Sequence, residues 1–129
     1  MAKVQELYEA FGKGDVPSIL SSLADDVDWD YGHGSTDVPW LQPRSGREAA
    51  GGFFEALMAL DFHKFAPKEF LEAGNTVVAL LDIDYTVKAT GKRVNAEDEV
   101  HIWRFGSDGK VARFTHLVDT HAVQLAYKG

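Results

Sequence analysis

The stretch that decides the fold is HIWRFGSDGKVARFTH, which runs from His101 to His116. Apolar and polar residues alternate on both sides of Asp108-Gly109, and this dipeptide is the strongest short-range signal for a two-residue hairpin turn. Counting outward from such a turn places Trp103 opposite Phe114 and His101 opposite His116. Directly opposed residues have Cβ atoms roughly 5 Å apart. The sequence therefore predicts a histidine pair on an aromatic face of an antiparallel sheet.

A different turn is the alternative for this hairpin. A three-residue loop with a glycine bulge is the next most common connection. It shifts the pairing by one residue and separates the two histidines. We adopt the two-residue turn as the prediction.

Composition limits the class of protein. The 129 residues, 45% hydrophobic and 26% charged, fit one domain over residues 1–129 with a substantial core. A net charge of -7 without any basic stripe argues against a nucleic-acid or anionic-membrane partner. The absence of cysteine excludes disulfides and thiolate chemistry. No basic-then-apolar leader and no apolar run of about 20 residues are visible, so we expect a cytoplasmic protein.

Three helices are predicted before the main sheet. Apolar residues recur at helical spacing from Ala2 to Phe11, and two glycines end that pattern. Asp15 is placed to cap a second, short helix that has Pro17 in its first turn. A third helix is expected from about Gly46 to Leu60, with Phe54 on its buried face.

The strands show alternation instead. Val27, Trp29 and Tyr31 alternate with aspartates, which indicates a half-buried first strand, and the loop from Gly32 to Ser45 is a candidate rim for a binding site. After residue 60 come three or four long strands joined by tight turns. They predict an antiparallel meander, with Pro67 at an edge or a bulge.

This element order resembles the α+β cone of the ketosteroid isomerase and SnoaL-like polyketide cyclase superfamily, also called nuclear transport factor-like. The stretches that carry the resemblance are Gly14-Asp15, Leu23–Val27, Arg44–Glu48, Thr90–Val94, Trp103–Phe105 with Asp108–Val111, and Val118–Thr120. The resemblance implies a curved antiparallel sheet wrapped around helices, which form a cone with an internal cavity. It also implies a homodimer. The motifs specify the fold rather than a reaction.

The catalytic residues of the resembled families are mostly absent. Ketosteroid isomerases use a tyrosine on the first helix, an aspartate base at the end of the first strand and a protonated aspartic acid before the last hairpin. The matching positions here are Leu7, Tyr31 and His101. A SnoaL-like cyclase mechanism would require His101 to take over the proton transfer of an aspartate. Scytalone-type dehydratases use paired histidines with tyrosines, and that similarity is one of residue type only.

The candidate catalytic residues are His101, His116, Tyr31 and Glu99. The two imidazoles titrate near neutral pH and suit a general base and acid. A polar pair that fills a gap in the core is the alternative, and a metal site would need Glu99 as third ligand. Tyr31 either supplies a proton or hydrogen bond to a substrate oxygen or packs in the core. Glu99 either acts as a base in a dry cavity or is a solvated residue at the rim.

The expected ligand-binding residues are mainly aromatic and line the same cavity. They are Trp29, Trp40, Phe54, Tyr85, Trp103, Phe114, Val118 and Asp119. Asp119 also suits the cap of a final helix. We expect no cofactor and no metal.

The function predicted from these features is acid/base catalysis on a small hydrophobic carbonyl or hydroxyl compound, of the isomerase, cyclase or dehydratase type. A non-catalytic binding or regulatory module for such a ligand is the alternative. On the other face of the sheet, Val78, Leu80, Val100 and Ile102 form an apolar surface that also predicts a homodimer.

Overall fold

The computed structural model describes residues 2–128 except 31–37, 42–43 and 118–119. Its helices are α1 (Ala2–Gly12), α2 (Val16–Ser21), α3 (Arg47–Ala56) and α4 (Thr120–Lys128), with short 3-10 turns at Pro39–Leu41 and Leu57–Ala59. Its strands are β1 (Leu23–Asp30), β2 (Arg44–Ser45), β3 (Leu60–Ala73), β4 (Thr76–Val87), β5 (Arg93–Phe105) and β6 (Val111–Leu117). No helix in this part of the chain is long and apolar enough to cross a membrane.

The strands form one curved, unclosed sheet in the order β2-β1-β6-β5-β4-β3. Strands β3 to β6 are the predicted antiparallel meander. Strand β1 joins the sheet by pairing in parallel with β6, which the sequence pattern did not predict. The helices cover the concave face, so the α+β class and the cone are confirmed.

Strand β4 shows why the sheet has one buried face. Its alternate residues from Val77 to Val87 are all buried, as the sequence predicts. On the other face, Val78 and Leu80 are half-buried. The same face then becomes charged at Asp82 and Asp84.

Strand β3 is an edge strand, and Pro67 lies at a register irregularity within it. Proline has no N–H to donate to a neighbouring strand, so it is tolerated at an edge or a bulge. The prediction for Pro67 is confirmed.

Side-chain hydrogen bonds act at the first turns of α2 and α3. Asp15 caps α2 by accepting a 3.3 Å hydrogen bond from the Ser18 backbone N–H. The third helix is shorter than predicted, because it ends at Ala56 and continues only as a 3-10 turn to Ala59. Arg47, at the start of α3, donates two hydrogen bonds to the Leu23 carbonyl and thereby joins the helix to β1.

The turn between β5 and β6 differs from the prediction, although the predicted histidine register is present. Gly106 N–H donates to the Lys110 carbonyl at 2.9 Å, which leaves a three-residue loop closed by Gly109 at a φ of 79°. The two-residue turn is therefore wrong. A second irregularity makes Ala112 an extra residue on β6, and this bulge compensates for the longer loop.

The pairing beyond the bulge is the predicted one. Trp103 is the partner of Phe114, and His101 is the partner of His116. Between the bulge and the turn, the pairing differs from the prediction by one residue. The two-residue turn places Phe105 opposite Ala112 and Ser107 opposite Lys110, whereas Phe105 lies opposite Val111 and Gly106 bonds to Lys110.

Candidate active site

A cavity of about 70 Å³ lies between the concave face of the sheet and helices α1 and α3. Eight of the predicted site residues line it: Trp29, Trp40, Phe54, Tyr85, Glu99, His101, Trp103 and Phe114. Tyr31, Val118 and Asp119 lie outside the described residues. The backbone of His116 pairs with that of His101, but its side chain is likewise outside the described part.

A chain of hydrogen bonds crosses the cavity wall. Glu99 Oε2 lies 2.7 Å from His101 Nε2, and His101 Nδ1 lies 2.7 Å from the Tyr8 hydroxyl. Trp103 Nε1 donates to the same hydroxyl at 3.0 Å. Glu99 and His101 are only 8% and 5% exposed, so this end of the chain is shielded from water, while Tyr8 is half-buried.

The donors and acceptors of this chain define one consistent set of protons for a neutral imidazole. An indole N–H can only donate, so the Tyr8 oxygen accepts from Trp103. Tyr8 then donates its own proton to Nδ1 of His101, and the Nε2–H of His101 donates to the Glu99 carboxylate. The phenol, the imidazole and the carboxylate therefore form a continuous path for a proton.

A bulge in β5 turns Glu99 and His101 into the cavity. Leu81 pairs with Glu99 whereas Ile83 pairs with Ala96, so β5 has one extra residue between these two pairs. At the bulge, Asp98 has a φ of 57°. An extra residue shifts the alternation of a strand by one, and bulges commonly redirect side chains beside functional sites.

Charged neighbours hold the bulge from outside the cavity. The Lys68 ammonium lies 2.6 Å from an Asp98 carboxylate oxygen and 2.9 Å from Asp82, while the Asp98 backbone N–H donates to Asp82 at 3.2 Å. The hydrogen bonds from Lys68 and from the Asp98 backbone lower the pKa of Asp82. The carboxylate form of Asp82 is thus the form that fits the bulge.

The phenols of the cavity are held neutral. Burial raises the pKa of Tyr8 far above its usual value; the Trp103 hydrogen bond offsets part of this, and the charge on Glu99 adds to it. Burial likewise raises the pKa of Tyr85, where the hydrogen bond with Trp40 opposes the shift and Glu99 reinforces it. Both hydroxyl groups can therefore donate a hydrogen bond at neutral pH.

Aromatic rings enclose the polar chain. The Trp29 ring stacks on Phe114 at a centroid distance of 4.2 Å, and Phe114 meets His101 edge-on at 5.2 Å. Trp40 packs edge-on against Tyr85 and against Tyr127 of α4. This packing restricts the orientation of the imidazole and keeps its surroundings apolar.

Tyr8 is the site residue that the sequence analysis missed. Alignment on Gly14-Asp15 selected Leu7 as the first-helix position, and Leu7 also lines the cavity. The hydroxyl that reaches His101 belongs to the next residue. A signal was available, because Tyr8 shares a helical stripe with Val4 and Phe11 and is the only member with a polar tip.

Among the described residues, no three histidine, aspartate or glutamate side chains gather as metal ligands. Glu99 is bonded to His101, and His101 is bonded to Tyr8. The metal alternative thus has two of its three ligands in a hydrogen-bonded chain, while the side chain of His116 is outside the described part.

A curved sheet closed by helices over an apolar cavity defines the nuclear transport factor-like class of α+β cones. The sequence model of the SnoaL-like domain matches residues 4–114, and the chain belongs to that family. No curated protein matches the sequence.

Solved structures of the same fold cover almost the whole chain. An NTF2-like protein of unknown function from Burkholderia pseudomallei is 28% identical, with a TM-score of 0.86, and the match covers 100% of this chain and 97% of that one. TerC, co-crystallised with polyporic acid, is 26% identical with a TM-score of 0.80, covering 98% and 95%. A candidate SnoaL-like polyketide cyclase from Mesorhizobium loti is 21% identical with a TM-score of 0.71, covering 88% and 94%, and it shows the fold alone.

Proposed function

We propose that this protein is a cofactor-independent acid/base enzyme that acts on a small, uncharged carbonyl or hydroxyl compound held in the aromatic cavity. The observation that carries the proposal is the buried chain from Glu99 through His101 to Tyr8. Such a chain can accept a proton from carbon and return it without solvent.

The roles of the residues follow from their hydrogen bonds. In the proposed reaction, the Tyr8 hydroxyl turns its hydrogen bond from Nδ1 of His101 to the substrate carbonyl oxygen. The freed Nδ1 takes a proton from the carbon next to the carbonyl, and the electron pair left behind moves to the carbonyl oxygen as an enolate. The Glu99 carboxylate stabilises the resulting imidazolium. The neutral phenol of Tyr8 donates a hydrogen bond to the enolate oxygen, as preorganised donors do in such reactions.

Two further residues belong to the proposal. His116 is the cross-strand partner of His101, and Tyr31 directly follows β1. We propose that His116 acts as the second acid/base group and that Tyr31 donates a proton to a substrate oxygen. Return of the proton to another carbon gives an isomerase. Transfer of the proton to a hydroxyl group of the substrate, which then leaves as water while the double bond forms, gives a dehydratase.

The lining of the cavity supports an uncharged substrate. In the described part of the chain, no lysine or arginine lines it, and Glu99 and His101 are its charged or readily charged groups. An anionic substrate would bring a second negative charge next to the Glu99 carboxylate in an apolar environment, where like charges repel strongly. The similarity of this chain to TerC, which was co-crystallised with polyporic acid, favours a small organic molecule as the ligand of the cavity.

A binding module is the second candidate function, and one observation favours it. Both ring nitrogens of His101 already have partners inside the protein, as a purely structural histidine requires. In that case the cavity holds a ligand without reaction. The two functions differ in whether the imidazole exchanges a proton with the ligand.

Exchange of carbon-bound hydrogen tests the proposal without knowledge of the natural substrate. Acetophenone, a neutral aromatic ketone, is incubated with the protein in D₂O, and the loss of its methyl proton signal is followed by NMR. We expect the wild-type protein to accelerate the exchange and His101→Gln and Glu99→Gln to lower the rate by about a hundredfold.

His63→Gln is the matched control, because His63 is an exposed histidine on β3 that bonds to Thr86. This variant should exchange like the wild type. Binding of acetophenone with no exchange above the buffer rate would contradict the catalytic proposal and favour the binding module.

A further inference from the structure

A second space adjoins the cavity on its α1 side. It is an open groove of about 820 Å³ between α1 and the edge strand β3. Four residues line both the cavity and the groove, namely Tyr8, Phe11, Phe62 and Phe65. The boundary between the two spaces is therefore made of aromatic side chains.

These four residues, which we call the ring wall, pack against one another. The Phe11 and Phe65 rings have centroids 4.6 Å apart, Phe11 and Phe62 are 6.1 Å apart, and Tyr8 and Phe65 are 6.0 Å apart. All four side chains are half-buried, as expected for rings with the cavity on one side and the open groove on the other.

The size of the cavity limits which ligands can enter without movement of the ring wall. An apolar cavity of about 150 Å³ holds a benzene molecule, whereas this cavity measures about 70 Å³. A ring-sized ligand must therefore displace side chains. Rotation of the phenylalanine rings of the ring wall would join the cavity to the groove, while Tyr8 keeps its place through its hydrogen bonds. Phe62 and Phe65 lie on β3, which is an edge strand with no further strand beyond it.

We propose that the α1–β3 groove is an outer subsite of the cavity and takes the second ring of an elongated, uncharged aryl compound. The hydroxyl or carbonyl end of this compound reaches Tyr8 and His101, and the remainder passes between the ring-wall side chains. Beyond the ring wall, the groove is lined by Phe70 and Pro67, which suit an aryl group, and by the exposed polar side chains of Gln5, Glu9, His63 and Lys64. This inference rests on the proposed function only in placing the reacting end at Tyr8 and His101.

Two probes of different length test the outer subsite. Phenol has one ring, and para-phenylphenol carries the same hydroxyl on a two-ring frame. Their dissociation constants are measured by isothermal titration calorimetry with the wild-type protein and with Gly12→Phe. Gly12 lines the groove but not the cavity, and a Cβ at this position meets no atom within 4 Å.

We expect Gly12→Phe to weaken binding of para-phenylphenol by about tenfold and to leave phenol binding unchanged. Lys13→Phe is the matched control, since it places the same side chain on the neighbouring, exposed residue that lines neither space. That variant should bind both probes like the wild type. NMR chemical shifts of the wild-type protein provide a second measurement. Both probes should shift the Trp103 Nε1–H signal, and para-phenylphenol alone should shift the Gly12 N–H signal.

Three results would overturn the outer subsite. They are wild-type binding of phenol without binding of para-phenylphenol, equal losses for both probes in Gly12→Phe, and no loss for either. The acetophenone assay is independent of these outcomes. A protein that binds para-phenylphenol through the groove but exchanges no protons would retain the subsite and lose the catalytic proposal.

Discussion

The imidazole of His101 and the carboxylate of Glu99 form a buried pair, joined at 2.7 Å and separated by a single residue on β5. A carboxylate removed from water is stable only while hydrogen bonds and charge replace its hydration. The two side chains should therefore contribute to stability as a unit.

A double-mutant cycle measures this coupling. His101→Phe deprives the Glu99 carboxylate of its imidazole partner and should lower the free energy of unfolding by about 3 kcal/mol. Glu99→Leu combined with His101→Phe removes the buried charge as well, so the double variant should be more stable than His101→Phe alone. Urea unfolding followed by fluorescence gives the values. Additive losses would show that the two groups do not interact.

The hydroxyl of Tyr8 is expected to stabilise the fold as well as the site. Tyr8→Phe removes one oxygen and leaves the Trp103 N–H and His101 Nδ1 without this partner in a buried place. Such a loss costs about 1–3 kcal/mol. Tyr127→Phe, on α4, is the control and should change the free energy of unfolding by less than about 0.5 kcal/mol. Equal stability of Tyr8→Phe and the wild type would contradict the hydrogen-bond chain.

The stability of the β5 bulge should depend on how easily the residue at position 98 adopts a positive φ. A β-branched residue is strained at a φ of 57°, so Asp98→Val should lower the free energy of unfolding by about 1–2 kcal/mol and slow acetophenone exchange. Asp98→Gly fits the same conformation and should retain the exchange rate. If Asp98→Val exchanges as fast as Asp98→Gly, the bulge does not position Glu99 and His101.

Alkaline pH should reveal the two buried phenols. A raised folded-state pKa means that the native state keeps protons that the unfolded chain releases above pH of about 10. The stability due to Tyr8 and Tyr85 is therefore complete below that pH and is lost as the pH rises towards their folded pKa values. Ultraviolet absorbance of phenolate should show these two tyrosines ionising only when the protein unfolds. Tyr8→Phe should weaken the pH dependence, and ionisation of all four tyrosines in the folded protein near the usual value would contradict it.

The outer face of the sheet predicts a homodimer. Val78 pairs with Ile102 and Leu80 with Val100, and all four side chains are half-buried and adjacent. A second copy of the chain would cover this apolar surface. Sedimentation velocity should show a dimer for the wild type and a monomer for Leu80→Asp. Gln5→Glu adds the same charge on the exposed side of α1 and should remain dimeric, while a monomeric wild type at high concentration would refute the prediction.

The features that the sequence determined by itself depend on local patterns. Alternation with a period of two predicts the buried face of β4, and a proline without an N–H marks the irregularity in β3. The histidine register was predicted from a turn that proved too short, and it is present only because the bulge at Ala112 compensates for the loop closed by Gly109. The loop is one residue longer than predicted, and the extra residue on β6 shifts the pairing back by one position, so the two differences cancel.

The features that only the tertiary structure decided join distant parts of the chain. Tyr8 bonds to His101 across 93 residues, and no local pattern encodes which residue of α1 meets which residue of β5. The same holds for the pairing of β1 with β6, for the bulge held by Lys68, and for the groove along β3. Helical or strand periodicity determines which face of an element is buried. The packing of several elements against the curved sheet then decides which buried polar groups come within hydrogen-bonding distance.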